Sequence, residues 1–225
     1  MSIVQIQRHK MATRTARGVK NKEHETAVEA RKRVETIIDA IPPDDLVQAI
    51  KRAPSLRGMI LGYISEEMFA RHVLEDQIFS DIRKPDDHDR ENNKIDRDFM
   101  YKGKRVSVQL KSVQTNSICW HTEHNCIVAS VQNDGSDKRD VKLPNGEIVS
   151  TTNYKIGDYD ILAVPLFPFT GTWKFGYMLN RDCRKTTSNK YTDEQKSYLL
   201  STMEEIYYPL KFPWFVSIKD AIENL

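Results

Sequence analysis

The sequence predicts an α/β fold with a helical N-terminal region and a β-sheet flanked by helices. Three observations predict it. Apolar residues recur every three to four positions over the first third of the chain, apolar and polar residues alternate from about residue 95, and helical patterns return near the C-terminus. Strands with helices before and after them along the chain are typical of an α/β or α+β domain.

Three helices are expected in the N-terminal third. Residues 23–41 carry an apolar stripe, and Pro42-Pro43 ends that helix because proline cannot continue it. Asp44 or Asp45 can cap a short second helix. A third helix is expected over residues 56–74, where apolar residues again recur at helical spacing.

The remaining elements follow from turn residues and alternation. The pattern predicts a hairpin around Lys102-Gly103, strands over residues 118–131, 159–167 and 172–179, a helix from the capping box at Thr192–Gln195 to about Tyr207, and a last short helix from Ser217. We expect a basic arm and helical region over residues 1–54 and the main domain over 55–225, or one continuous domain.

Composition excludes several classes of protein. Of the 225 residues, 39% are hydrophobic and 29% charged, as in globular domains. No apolar run approaches the roughly 18 residues of a membrane helix, and the N-terminus lacks the apolar core of a signal peptide. Three cysteines, an odd number, do not suggest a disulfide framework. These features predict a cytoplasmic protein with no membrane association.

Basic residues are concentrated in two places, although the net charge is only +2. Residues 8–22 hold six basic residues and no acidic one, which is typical of an arm that follows phosphates. Arg181, Arg184, Lys185 and Lys190 lie among hydroxyl and amide side chains in a predicted loop that can bind DNA. A solvated terminus and an ordinary polar loop are the alternatives.

The predicted hairpin gathers polar side chains of three kinds. With Lys102-Gly103 as the turn, Asp96 faces Gln109, and Lys111 shares their face of the sheet because side chains alternate. Asp98 lies one step away on that face. The opposite face carries apolar residues, which supports this register: Ile95, Phe99, Val106, Val108 and Leu110.

Oxygen donors of this kind suit Mg²⁺. Asp96 and the Gln109 side chain can supply two oxygens, and the Leu110 carbonyl a third. Lys111 can hold or deprotonate a water molecule or neutralise charge on a phosphate. Metal-assisted attack of water on a phosphodiester is a known route to hydrolysis. A surface hairpin with ordinary polar residues is the alternative.

This stretch resembles the PD-(D/E)xK nuclease superfamily, the restriction-endonuclease-like enzymes. Asp96 matches the metal-binding Asp at the start of a strand, Gln109 the acidic position of the next strand, and Lys111 the Lys. Gln109 departs from the usual Asp or Glu, although several branches use QxK, and it removes one negative charge from the metal site. The resemblance covers about residues 56–112 and implies a central mixed sheet with helices on both faces.

Many members of the superfamily also place a Glu on a helix before the sheet, often in a G-x-x-x-E pattern. Gly62 and Glu66 fit that pattern, with Glu67 as the competing choice and a solvated helix carboxylate as the alternative. The run 85–89 contains a literal Pro-Asp. Its composition is that of a loop, and only Asp96 falls opposite Gln109, so we prefer Asp96.

A second cluster follows the hairpin. If Thr122-Glu123 were a two-residue turn, its four flanking side chains would share one face with ligand types that suit zinc: Cys119, His121, His124 and Cys126. Thr-Glu is a poor choice for such a turn, and the spacing matches no standard zinc motif. Plain strand residues are one alternative. A loop in which Trp120, His121 and His124 touch DNA is the other, because superfamily members often carry recognition elements here.

The resemblance implies a Mg²⁺-dependent DNA endonuclease that leaves 5′-phosphate and 3′-hydroxyl ends, in the first place a type II restriction endonuclease. Asp96, Gln109 and Leu110 would bind the metal, Glu66 would add a carboxylate, and Lys111 would activate water. The implied partners are double-stranded DNA, a second copy in a homodimer, and a cognate DNA methyltransferase. The alternatives are a homing or repair nuclease of the same fold, a non-catalytic nucleic-acid-binding protein with a degenerate site, and a helical protein-interaction module.

Overall fold

Ten strands organise the part of the chain that the structure describes. In this computed structural model, residues 28–34, 36–85 and 94–225 are described. The strands are β1 (Phe79–Arg83), β2 (Arg97–Tyr101), β3 (Lys104–Leu110), β4 (Cys119–His121), β5 (Cys126–Gln132), β6 (Asp134–Lys142), β7 (Ile148–Asn153), β8 (Ile161–Pro165), β9 (Phe175–Leu179) and β10 (Met203–Tyr208).

Five α-helices have both ends within the described residues: α1 (Pro43–Arg52), α2 (Pro54–Phe69), α3 (Phe167–Thr170), α4 (Asp193–Tyr198) and α5 (Ile218–Glu223). Residues 28–34 are also helical. A π-helical turn, Ala70–Leu74, continues α2. The chain divides into two compact units, residues 1–57 and 58–225. Within the described ranges, no helix has both the length and the apolar character that a membrane crossing requires.

The central sheet has the strand order β1-β2-β3-β8-β9. β3 and β8 run parallel, and the other neighbours are antiparallel. The predicted mixed α/β architecture is therefore confirmed. β3 is the third of the five strands, so the residues at its C-terminal end lie inside the sheet and not at its edge.

One face of this sheet packs against helices. Side chains alternate along a strand, so Val108 and Leu110 of β3 and Ile161 of β8 point to the same side. Phe69 at the end of α2 and Ala221 of α5 belong to the same buried cluster. Burial of this apolar surface holds both helices against the sheet.

The other face packs against a second sheet with the order β10-β5-β4. Leu162 and Val164 of β8 share a buried cluster with Val131 of β5 and Ile206 of β10. This face is covered by strands, where the superfamily resemblance implies helices. A short two-stranded sheet, β6-β7, completes the strand pairing and is called the ribbon below.

The β2–β3 hairpin has the predicted register. Tyr101 pairs with Lys104, and Phe99 pairs with Val106. Lys102 and Gly103 both have positive φ, 47° and 80°, as a two-residue hairpin turn requires. Ile95 differs from the prediction: it precedes β2 and packs against the opposite cluster.

Two predictions need correction. The capping box at Thr192 and Gln195 is confirmed, but the helix that it starts ends at Tyr198 and not near Tyr207. Residues 203–208 form β10 instead, because pairing with β5 along the whole strand buries Glu204 and Ile206 on alternate positions. At α1, Pro42 occupies the N-cap position without a side-chain bond, so neither Asp44 nor Asp45 caps that helix.

The segment 118–131, predicted as strand, is a hairpin of β4 and β5. The final helix begins after Ser217, whose side chain accepts the Asp220 N–H, as predicted. The pattern does not predict β1 or the ribbon. Residues 1–27, 35 and 86–93 lie outside the described residues, and with them the basic arm, part of the first helix and most of the acidic run 85–89.

Candidate active site

Asp96 lies immediately before β2 and contacts the end of β3. Its Oδ2 accepts hydrogen bonds from Gln109 Nε2 at 2.7 Å and from the Leu110 N–H at 2.6 Å. The Asp96 N–H donates to the Val108 carbonyl at 2.9 Å, which extends the β2–β3 ladder by one step. The predicted pairing of Asp96 with Gln109 is therefore present.

The surroundings of Asp96 disfavour the charged form of its carboxyl group. The pKa of its carboxyl group is raised from 3.8 to about 6, chiefly by burial and also by the negative charge of Glu66. The Leu110 N–H and the positive charges of Lys111 and Arg97 lower that pKa, but they do not offset burial. A cation bound beside this buried carboxylate would stabilise its charged form.

Gln109 is buried, with 4% of its surface exposed, and its amide nitrogen lies among oxygen atoms. Nε2 is 2.7 Å from Asp96 Oδ2 and 3.5 Å from the Leu110 carbonyl oxygen. The positive end of the amide dipole thus stands where two candidate metal ligands converge. Rotation of the amide by half a turn exchanges Nε2 for Oε1 and presents an oxygen to a cation.

Lys111 follows β3 and is held by two neighbours that lie far away in sequence. Its Nζ donates a hydrogen bond to the Asp134 carbonyl at 2.8 Å and lies 5.4 Å from the centre of the Tyr154 ring. Burial lowers the pKa of the Lys111 ammonium, and the nearby negative charge of Asp96 partly counteracts this. The amine is therefore easier to deprotonate than a lysine in water, as a general base requires.

Glu66 is the helix carboxylate that belongs to this cluster. α2 brings it close because Ser65 Oγ lies 3.4 Å from Ser112 Oγ, directly after Lys111. The Glu66 side chain is 14% exposed, and Oε2 lies 3.1 Å from Lys84 Nζ and 3.3 Å from an Arg97 nitrogen. Its charge reaches Asp96, whose pKa it raises.

Glu67, the competing choice, is far more exposed than Glu66. Its side chain is 64% exposed and pairs with Arg97 at 3.0 Å. Glu66 is among the largest causes of the raised pKa of Asp96, and Glu67 is not. The geometry favours Glu66.

The donor set fits a hard divalent cation. Asp96 and Glu66 supply carboxylate oxygens, and Gln109 and Leu110 supply amide and carbonyl oxygens, the ligand types that Mg²⁺ prefers. Across the described residues, no three or more His, Cys, Asp or Glu side chains form a group that could hold a metal ion. The carboxylates of this cluster are Asp96 and Glu66, and Gln109 stands where the family pattern has an acid.

Asp98 takes no part in the cluster. Its carboxylate pairs with Arg105, which also pairs with Asp81 on β1. The prediction that Asp98 lies one step away on the shared face is correct in register, but this ion pair draws the side chain toward the β1 edge of the sheet.

The zinc hypothesis for the second cluster is wrong. His121 pairs with Cys126, and Cys119 pairs with Val128, so the turn has four residues. The required register, with His121 opposite His124, does not occur. The two imidazole rings stack instead, with their centres 4.4 Å apart.

Trp120 is 59% exposed on β4. His124 is also exposed, in the turn between β4 and β5, and its ring packs edge-on against Tyr207 of β10. His121 and His124 stack on each other, and Trp120 and His121 are neighbours on β4 whose side chains point to opposite faces. Their role in DNA binding stays a prediction.

The basic residues after β9 are exposed but differ in their contacts. Arg181 donates to the Asn224 carbonyl, and Lys185 bridges to Leu200 through the backbone. Arg184 is anchored: its backbone N–H and side chain both bind Glu204, whose pKa burial raises to about 7. Arg184 therefore stabilises a buried carboxylate, and DNA binding by these three residues stays a prediction.

Sequence reasoning missed the residues that surround Lys111. Tyr154 packs against Lys111 on one side and carries the Arg139 guanidinium 4.9 Å from its ring centre. Asp134 begins the ribbon and Tyr154 directly follows it, so both ends of the ribbon lie at the candidate site. Arg97 was also missed, and it binds Glu66, Glu67 and the Asp96 carbonyl. The one available signal for Arg97 was its position in a strand pattern, where a buried arginine requires acidic partners.

Comparisons with known proteins give little further guidance. No protein-family model matches the chain, and no curated protein matches it. Among solved structures, the chain is similar to a bacterial homing endonuclease, I-Ssp6803I, with a TM-score of 0.34 and 18% identity, over 61% of this chain and 85% of that one. A similarity of this strength supports no conclusion about activity, so any such conclusion has to rest on the geometry of the site.

Proposed function

We propose that this protein is a Mg²⁺-dependent DNA endonuclease whose catalytic domain spans residues 55–225. The observation that carries the proposal is the convergence of Asp96, Gln109 and the Leu110 carbonyl on one point, with the Lys111 amine beside it. An acid, a backbone carbonyl, an amide whose rotation presents an oxygen, and a lysine of lowered pKa suit phosphodiester hydrolysis.

Each residue has a defined task in this proposal. Asp96, Gln109, Leu110 and Glu66 would hold the ion, which supplies Lewis-acid activation of a phosphodiester and of water when bound. Lys111 orients the attacking water and accepts its proton. The Asp134 carbonyl and the Tyr154 ring fix the position of the Lys111 amine.

The specific form that we propose is a type II restriction endonuclease. One active site cuts one strand, so double-strand cleavage of a palindromic site requires two copies related by two-fold symmetry. A DNA methyltransferase would then protect host DNA. A homing or repair nuclease of the same fold differs in substrate, which is a long asymmetric site in one case and a junction or lesion in the other.

Incubation of the purified protein with supercoiled plasmid DNA tests the proposal. We expect nicked and linear products with 10 mM Mg²⁺, which is roughly the usual assay concentration, and none with EDTA. Discrete fragments from several unrelated DNAs support a restriction enzyme, and cutting at one rare site supports a homing enzyme. Retention of DNA without any cleavage in Mg²⁺ would favour the non-catalytic binding protein.

The two candidate helix carboxylates can be separated by substitution. Glu66→Gln is expected to lower the cleavage rate by about tenfold or more, because one of the two carboxylates that would hold the ion is lost, while Glu67→Gln is expected to stay within about twofold of the wild type. Initial rates of plasmid nicking at saturating Mg²⁺ measure both effects. Equal losses in the two variants contradict the assignment of Glu66.

Gln109→Glu tests the metal site from the opposite direction. The change removes the N–H that binds Asp96 Oδ2 and places a second carboxylate against the first. Without metal, we expect the free energy of unfolding to fall by about 1–3 kcal/mol, and Mg²⁺ affinity to rise about tenfold with the added ligand charge. Urea titrations with EDTA and calorimetric titration with Mg²⁺ measure the two effects.

Gln114→Glu provides the matched control for that variant. Gln114 is exposed and lies outside the cluster, so the same chemical change there should alter neither quantity by more than experimental error. A Gln109→Glu variant with unchanged Mg²⁺ affinity would show that this side chain does not face the ion.

A further inference from the structure

A polar cleft runs along one strand of the ribbon. Its volume is about 460 Å³, and all six residues of β7 line it, together with Lys138 of β6 and side chains from the segment 186–202. Among the described residues, β7 pairs only with β6, so its second edge has no strand partner. Six consecutive lining residues place the cleft along β7, and Lys138 shows that it also reaches β6.

The lining is cationic and rich in hydrogen-bond donors. Lys138 and Lys190 line the cleft, and no Asp or Glu does. Both ammonium groups are exposed, and neither forms an ion pair with a described residue. Glu147 lies nearby, but Gln195 donates a hydrogen bond to it at 2.6 Å. Free lysines, hydroxyl groups and strand-edge N–H groups are the partners that phosphate oxygens take.

A fixed network holds one wall of the cleft in place. Thr151 and Asn153 are 1% and 4% exposed. The Tyr191 hydroxyl lies 2.7 Å from Thr151 Oγ1 and donates to Asn153 Oδ1 at 2.9 Å. Asn153 Nδ2 donates to the Leu200 carbonyl at 2.7 Å. Each of these buried polar groups has a partner within the protein, so the wall keeps its shape without a ligand.

The length of the cleft favours a polymer over a single phosphate. Six residues of extended strand span about 20 Å. One DNA strand carries a phosphate about every 3.4 Å along the helix axis, so a groove of this length passes several phosphates. Lysines that lie at separate points of the groove can each neutralise a different one.

The last lining residue of β7, Asn153, directly precedes a residue of the candidate active site. Asn153 pairs with Asp134, whose carbonyl accepts the hydrogen bond from Lys111. The next residue, Tyr154, carries the Lys111 ammonium over its ring. A nucleic acid strand that leaves the scissile position past Tyr154 therefore meets β7 within a few residues.

We propose that this cleft binds the phosphate backbone of DNA beside the cleaved phosphodiester, with Lys138 and Lys190 as its two phosphate contacts. The proposal rests on the proposed nuclease function for the identity of the polymer. It assigns the cleft to backbone positioning and not to base recognition, since lysine contacts to phosphate carry no sequence information.

The salt dependence of DNA binding tests this assignment. A fluorescent 30-base-pair duplex, about the length of a standard probe, is titrated in EDTA at several salt concentrations, so that no cleavage occurs. Lys138→Ala and Lys190→Ala should each weaken binding and lower the slope of log K against log salt by about 0.9, and the double variant by about 1.8. Lys138→Arg with Lys190→Arg should retain the wild-type slope, because both charges remain.

Lys104→Ala is the matched control, since Lys104 is an exposed lysine of the β2–β3 hairpin outside the cleft. It should bind DNA as the wild type does. A double alanine variant with wild-type affinity and slope overturns the proposal, and so does a wild-type protein that binds no DNA. Titration with inorganic phosphate is the second arm: phosphate binding that the double variant loses, with DNA binding unchanged, assigns the cleft to a small phosphate compound and overturns the DNA assignment.

Failure of the cleft proposal and failure of the nuclease proposal give different results. If the wild-type protein nicks plasmid DNA and the double variant binds DNA normally, only the proposal for the cleft fails. If the wild-type protein binds DNA with the expected dependence on Lys138 and Lys190 but never nicks DNA in Mg²⁺, only the proposal of nuclease activity fails.

Discussion

Lys111→Ala is expected to reduce Mg²⁺-dependent DNA cleavage by about 10²–10⁴-fold, the usual range for loss of a general base. Burial lowers the pKa of the Lys111 ammonium, so its amine loses a proton more readily than a lysine in water and is better suited to act as a base. Single-turnover nicking of plasmid DNA at saturating enzyme measures the chemical step directly. The affinity for uncut duplex in EDTA should stay within about threefold of the wild type, because one partly buried amine contributes little to phosphate binding.

Lys104→Ala serves as the control for nonspecific effects of lost charge, and it should cleave as the wild type does. A Lys111→Arg variant separates charge from proton transfer, since arginine keeps its charge but does not deprotonate in proteins. We expect it to remain inactive. Cleavage by Lys111→Ala at the wild-type rate would remove Lys111 from the mechanism and with it the present form of the proposed function.

The candidate site illustrates which contacts a sequence can predict. Asp96 and Gln109 are 13 residues apart, and a two-residue turn with positive φ fixes their register. The turn, the alternation and the apolar face all specify the same pairing, so the hairpin could be predicted without knowledge of the remaining fold. The mixed sheet could be predicted for a related reason, because strands and helices follow one another along the chain.

The surroundings of Lys111 could not be predicted in the same way. Asp134 and Tyr154 reach it only because the ribbon begins and ends at this point of the fold. No local pattern records that coincidence, since it depends on how β5 leaves the second sheet and how the chain returns to β8. The spacing of residues along the sequence therefore does not predict which side chains from distant segments contact Lys111.

β10 shows how a strong local signal can mislead. A capping box begins α4, and the following residues include good helix formers, so the pattern predicts one long helix to about Tyr207. The chain instead leaves the helix after Tyr198 and pairs with β5 from Met203 to Tyr208. Glu204 is 3% exposed in that strand and needs Arg184 to satisfy it. Tertiary pairing overrides helix propensity here, as it often does for residues of moderate propensity.

Asp96→Asn is expected to abolish cleavage and, in the same molecule, to stabilise the metal-free fold. Asparagine can still accept the Leu110 N–H through its side-chain oxygen, but it carries no charge that burial penalises. The pKa of Asp96 is raised from 3.8 to about 6, and a rise of about two units corresponds to about 3 kcal/mol. Allowing for weaker hydrogen bonds, we expect the free energy of unfolding at pH 8 in EDTA to increase by about 1–3 kcal/mol.

The pH dependence of that gain has a definite sign. Between pH 4 and about pH 6 the folded protein binds more protons at Asp96 than the unfolded chain does, so the wild-type stability falls as pH rises through this window. Below about pH 4, Asp96 is protonated in both states, and the advantage of Asp96→Asn disappears. Urea titrations at pH 4 and pH 8 in EDTA measure the difference.

Mg²⁺ should reverse the order of the two proteins at pH 8. An ion that binds only the folded wild type stabilises it in proportion to RT ln(1 + [Mg²⁺]/Kd), whereas the variant lacks the carboxylate that binds the ion. Asp98→Asn, two residues further along the hairpin, is the matched control: it breaks the pair with Arg105 and should give neither the stability gain nor the Mg²⁺ reversal. The contrary outcome is an Asp96→Asn variant that unfolds at a lower urea concentration than the wild type in EDTA at pH 8. It would show that Asp96 stabilises the metal-free fold as an ordinary ion-paired carboxylate. The argument that this buried carboxylate requires a bound cation would then fail.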